Sequence, residues 1–209
     1  MKRAIVLLLA MALLAGCAPQ TKLDSSAPYV DITFTYQDGL RYAPSYAIWV
    51  QDEQGNRTTL FVTKKAAGAS LQRQRPSALP IWFGIKDTQA DAASSATPAG
   101  KVSLQRNIPE PLRGKKLTLF IEANASYDYN DYYQKGLKEG DEGYNDVNGQ
   151  PSVLWSAVID ATDGMVPTLA LVGRGDVTGA DQQIHEDMDK VTTAKVLVKD
   201  ISITYHSGQ

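Results

Sequence analysis

Tyr29-Val30-Asp31-Ile32-Thr33-Phe34-Thr35-Tyr36 is the stretch that decides the fold class. Val30, Ile32, Phe34 and Tyr36 alternate with Asp31, Thr33 and Thr35, the period-two pattern of a strand with one buried face. Residues 45–51 repeat the pattern, with Tyr46, Ile48 and Val50 opposing Ala47 and Trp49. The turn Asp52-Glu53-Gln54-Gly55-Asn56 then leads into residues 58–63, which predicts a hairpin. Working outward, further strands are expected at 79–83, 117–123, 153–159, 168–172 and 194–205, with a bulge or bend at Lys199-Asp200 in the last. Asn148-Gly149 and Asp163-Gly164 are turn dipeptides on either side of the 153–159 strand. Long helical periodicity is absent, and a short helix is expected over 180–191.

About eight strands separated by turn signals predict an all-β fold, an immunoglobulin-like β-sandwich in the broad sense, over a single domain at 29–209. A jelly roll or a barrel fits the same pattern. Two connections, 64–78 and 125–150, are longer than plain turns.

The first residues carry a separate signal. Lys2 and Arg3 precede an apolar run over 4–14, which is too short to span a bilayer, and Leu14-Ala15-Gly16-Cys17 ends it. Small residues directly before a cysteine resemble the bacterial lipobox, which implies acylation of Cys17 and removal of residues 1–16 as a signal peptide. Ala18 stands where an inner-membrane retention aspartate would be, so the resemblance implies the periplasmic face of the outer membrane. Residues 17–28 read as a flexible tether. Cys17 is the sole cysteine, so the mature chain has no disulfide and must be held together by its core. Removing 16 of 209 residues leaves 193, enough for a sizeable core. Without Lys2 and Arg3 the balance is 19 basic against 23 acidic residues, which argues against nucleic acid as a partner.

Tyr42-Ala43-Pro44-Ser45-Tyr46-Ala47-Ile48-Trp49-Val50, followed by Trp82, the 91–97 segment and Leu117–Ala123 in the same order, resembles a bacterial exported family described as domain of unknown function 2271. The resemblance covers roughly residues 29–133 and implies a periplasmic β-sandwich without a defined biochemical role. Asp91-Ala92-Ala93-Ser94-Ser95-Ala96-Thr97 is similar to a sequence on which a separate transferase esterifies FMN phosphate to the final threonine. That similarity implies a covalent flavin on Thr97, with Asp91 positioning the segment. Ser95 replaces the motif's glycine, and Pro98 stiffens the chain after the acceptor. The same residues also read as an Ala/Ser-rich solvated loop.

The 125–150 stretch interleaves acids, amides and tyrosines. Asp128, Asn130, Asp131, Asp141 and Glu142 are candidate calcium ligands, a hard cation that takes six to eight oxygens. The EF-hand template fails there, because Tyr133 stands where the loop needs glycine. Tyr129, Tyr132, Tyr133 and Tyr144 are candidates for stacking on sugar rings or docking a cell-envelope protein partner. Lys64, Lys65, Arg73 and Arg75 form a basic loop suited to anions or lipid headgroups, and Arg174-Gly175-Asp176 reads as a turn. His185 and His206 are the two histidines and stand far apart in sequence. No nucleophile elbow, phosphate loop or metalloprotease motif is present, so the chain reads as a non-enzymatic binding or accessory module.

Overall fold

The computed structural model describes residues 22–63, 66, 75–85, 93–94, 100–145 and 147–209. Its strands are β1 (Tyr29–Tyr36), β2 (Ser45–Asp52), β3 (Arg57–Thr63), β4 (Ala93–Ser94), β5 (Lys101–Asn107), β6 (Leu117–Asn124), β7 (Val153–Ile159), β8 (Leu169–Arg174) and β9 (Val198–His206). They form a three-stranded sheet in the order β5-β1-β9 and a six-stranded sheet in the order β4-β3-β2-β6-β7-β8. Every pairing is antiparallel except the two-residue β3–β4 contact, so the molecule is the β-sandwich its alternation predicts.

Between the sheets lie Val30, Ile32 and Phe34 of β1, Tyr46, Ile48 and Val50 of β2, and Leu119, Ile121, Val153 and Trp155 of β6 and β7. The six-stranded sheet is buried on its other face too. There Ala47, Trp49, Val62 and Leu154 pack against Leu79, Ile81 and Trp82. Trp49 is 1% exposed and stacks on Phe120 with ring centroids 5.2 Å apart. This second layer explains why Ile48 and Trp49, on opposite faces of β2, are both buried.

That outer cover corrects one expected strand. Residues 79–83 do not pair in a sheet; Pro80–Ile85 form a short helix, α1. A run of apolar residues without alternation fits a buried helix as well as a strand. Pro80 favours the helix, because its missing N–H falls in the first turn, where no intrahelical acceptor exists. Two strands were not anticipated, the two-residue β4 and β5, whose mixed polar sequence pairs along β1 from Tyr29↔Asn107 to Thr35↔Lys101.

Residues 180–191 are not helical either. The Asp176 and Asp181 carboxylates accept backbone N–H groups from Thr178, Ala180 and Gln183, and these local bonds compete with a helical ladder. His185 instead bridges to Arg174 through two backbone hydrogen bonds of 2.9 Å. The last strand begins at Val198, after a 3-10 turn at Thr193–Val196. Its β1 register shifts between Thr33↔Ser202 and Thr35↔Lys199, with Asp200 at φ 51°, which is the expected bulge.

The β2–β3 hairpin closes as its turn residues demand. Asp52 Oδ1 accepts the N–H groups of Gln54 and Asn56, Gly55 takes φ 84°, and Lys115 Nζ reaches Asp52 Oδ2 at 2.8 Å. The end of the 17–28 tether is docked on the sandwich, where Asp24 N–H donates to Asn107 Oδ1 and Asn107 Nδ2 returns a bond to Asp24 O.

Candidate functional site

The β6–β7 connection is ordered from within by buried side-chain amides. Asp128 forms a bridge with Gly149, in which Gln150 N–H donates to Asp128 O at 2.8 Å. Gly149 has φ 80°, and a Cβ there would lie 2.4 Å from Asp128 O, so this crossing requires glycine. Asn148 Nδ2 donates to Ser77 O at 2.9 Å, and Asn124 Nδ2 donates to Gln150 O at 3.1 Å. The Gln150 side chain accepts Thr192 N–H at 2.6 Å and donates to Thr193 Oγ1. Arg75 clamps two points of the loop, Asn148 Oδ1 at 2.6 Å and Ser126 Oγ at 3.2 Å. Two of the network's buried atoms, Arg75 Nε and Asn124 Oδ1, have no hydrogen-bond partner among the described residues. The bonds that are made hold the loop in place, and removing one partner costs about 1–3 kcal/mol per orphaned group.

Tyr127 is presented by this scaffold. It lies between Ser126, held by Arg75, and Asp128, whose N–H donates to Asn148 O at 2.9 Å. Tyr127 takes φ 67°, the left-handed region that a bulky side chain rarely enters, and is 43% exposed. Its ring lies 5.6 Å from Tyr42, itself 46% exposed, and 6.3 Å from Tyr129. The exposed Arg41 guanidinium sits 5.4 Å from the centroids of both Tyr42 and Tyr127. Among the described residues no carboxylate pairs with Arg41.

The predicted tyrosines therefore separate. Tyr129 joins this surface, while Tyr132 is half-buried under Lys190 Nζ, 5.0 Å from its ring. Tyr144 is half-buried. Tyr133 corrects the expectation of a surface ring: it is 5% exposed and belongs to the core, with its ring edge-on to Tyr132. Tyr127 stood out in the sequence only as one tyrosine among several, Tyr42 only as the start of the stretch that carries the family resemblance, and Arg41 not at all.

Three of the five predicted calcium ligands, Asp128, Asn130 and Asp141, have protein partners. Asp128 Oδ1 accepts Thr193 Oγ1–H at 2.5 Å; burial pushes this carboxyl up, against the lowering effect of hydrogen bonds from Thr193 and Gln150. Asn130 Oδ1 caps the N–H groups of Tyr132 and Tyr133, and its Nδ2 donates to Lys190 O. Asp141 accepts Lys138 N–H at 2.7 Å, and Asp131 and Glu142 are exposed. Among the described residues, the carboxylate and imidazole atoms that converge within 4.8 Å belong to Asp176, Asp181 and His185, outside the predicted set. Cys17, Asp91, Thr97, Lys64, Lys65 and Arg73 lie outside the described residues.

One buried acid has no counterpart in the sequence reading. Glu122 lies on the outer face of β6 and is 0% exposed. Its carboxylate accepts Trp82 N–H at 2.8 Å, Ile81 N–H at 3.3 Å and Ser152 Oγ–H at 2.7 Å, so it anchors the first turn of α1. Burial raises its pKa to about 7, against the lowering effect of the three hydrogen bonds. Ser152 is equally enclosed, which makes this pair a structural anchor rather than a nucleophile and base in reach of a substrate.

Fold and surface together define a two-sheet β-sandwich with an aromatic, arginine-bearing loop end. Among the described residues no helix is long and apolar enough to cross a membrane. No family model, no curated protein and no solved structure matches the chain.

Proposed function

We propose that the chain is a lipid-anchored, extracytoplasmic binding module without catalytic activity, and that its recognition surface is Arg41, Tyr42, Tyr127 and Tyr129. The observation that carries this reading is Tyr127 itself. An exposed tyrosine at φ 67° keeps a strained backbone while its ring gains no burial in the core. Strain of that kind costs about 1–3 kcal/mol and persists where the surroundings over-determine the conformation, which makes it a pointer to function. The amide network beneath supplies that constraint, and aromatic rings beside an arginine are the side chains that contribute most to binding energy. The anchor rests on Leu14-Ala15-Gly16-Cys17.

The test uses the Cys17→Ala form, which is expected to leave the membrane fraction. Added back to isolated cell envelopes, it is expected to sediment with them, and Tyr127→Asn in the same background is expected to stay in solution. Asparagine tolerates the left-handed backbone, so this variant removes the ring without adding strain. Equal sedimentation of the two proteins rejects the surface, and unchanged detergent-dependent fractionation of Cys17→Ala rejects the anchor.

A further inference from the structure

We infer that the tyrosine-arginine surface takes a carboxylate-bearing sugar chain, such as a uronate oligosaccharide. This rests on the binding-module reading and names its ligand class. Tyr127 neighbours both Tyr42 and Tyr129, with centroid separations of 5.6 and 6.3 Å, and its ring is inclined to theirs by 44° and 61°. A rigid planar ligand cannot lie flat on rings inclined to one another in this way. A chain of sugar rings can, because each ring rotates about its linkage and offers its own C–H face to one aromatic face.

The charge pattern selects among sugars. Arg41 is exposed and unpaired by any carboxylate of the described residues, in a protein with more acidic than basic residues. Its guanidinium lies against Tyr42 and Tyr127, and the planar fork of N–H donors matches a carboxylate in two-point contact. A bound uronate stacked on Tyr127 would bring its carboxylate to the group that already borders that ring.

A protein partner fits less well. Stable protein interfaces bury about 800 Å² on each side around a centre depleted of charged residues. Here the exposed aromatic area is confined to a few rings, and the same loop continues into exposed Asp131, Lys135, Glu139, Asp141 and Glu142.

The experiment titrates full-length protein in detergent with an oligogalacturonate and with a neutral oligoglucan of equal length, following heat or intrinsic fluorescence. The acidic chain is expected to bind at least tenfold more tightly. Arg41→Gln is expected to erase that preference, and Tyr127→Asn to weaken both sugars at least tenfold with no fall in melting temperature. Failure of both sugars to bind at millimolar concentration overturns the inference, as does binding that Tyr127→Asn and Tyr42→Ala leave unchanged. If both sugars fail while envelope sedimentation still depends on Tyr127, the sugar class is wrong, the binding module stands, and a protein partner takes its place.

Discussion

Replacing Glu122 with glutamine changes how stability depends on pH, and the structure sets the size and sign of the effect. In the folded chain the carboxyl sits at about 7 instead of 4.5, raised by burial and only partly lowered by its hydrogen bonds with Ser152, Trp82 and Ile81. A folded state with the higher pKa holds its proton more tightly than the unfolded chain. The stability from this group is therefore complete below about 4.5 and is lost as pH rises through about 7. At 1.36 kcal/mol per pH unit, that difference corresponds to about 3 kcal/mol.

Glutamine mimics the protonated acid here. Its oxygen accepts Trp82 N–H, and its amide donates to Ser152 Oγ, whose own hydrogen rotates away. The weak 3.3 Å contact with Ile81 N–H is all that is lost. Urea denaturation followed by tryptophan fluorescence, at steps from acid to mildly alkaline pH, measures both proteins. Every other titrating group is common to the two and drops out of the difference. The wild type is expected to lose about 3 kcal/mol relative to Glu122→Gln across that range. Parallel profiles would refute the burial argument and place Glu122 in contact with water.

Other perturbations test the layers and the loop. Trp49→Ala removes a ring that is 1% exposed and stacked on Phe120, and is expected to cost about 3–5 kcal/mol by thermal or chemical denaturation. Trp49→Phe is expected to cost clearly less, because the buried Nε1–H has no hydrogen-bond partner to lose. Gly149→Ala forces a Cβ against Asp128 O at a left-handed position; a loss of about 1–3 kcal/mol and faster hydrogen exchange over 126–130 are expected. The flavin implied at Thr97 is read by intact mass of protein co-expressed with a flavin transferase. An FMN phosphoester that disappears in Thr97→Ala supports it, and a mass of lipidated polypeptide alone removes it.

Much of the sheet architecture was legible along the chain because alternation is a local property. Val30, Ile32, Phe34 and Tyr36 point to one side wherever the strand pairs, and the Asp52–Asn56 turn closes its hairpin with its own atoms. Residues 79–83 were expected as a strand and 101–107 were not, for the opposite reason. An unbroken apolar run does not say which backbone form it takes, and a polar edge strand needs only a neighbour to pair with.

By itself, then, the chain's order of residues determined the strand-rich class, the β2–β3 hairpin and the bulge near Asp200, all of which depend on side chains close together in sequence. Tertiary structure alone decided that α1 covers the second face, that Glu122 is sealed beneath it, and that Tyr133 faces inward while Tyr127 faces out. It also brought Arg41 and Tyr42 to Tyr127 across the gap between two connections. Such contacts join residues far apart in the chain, and their energies depend on burial and on the packing of separate elements, which no local pattern encodes.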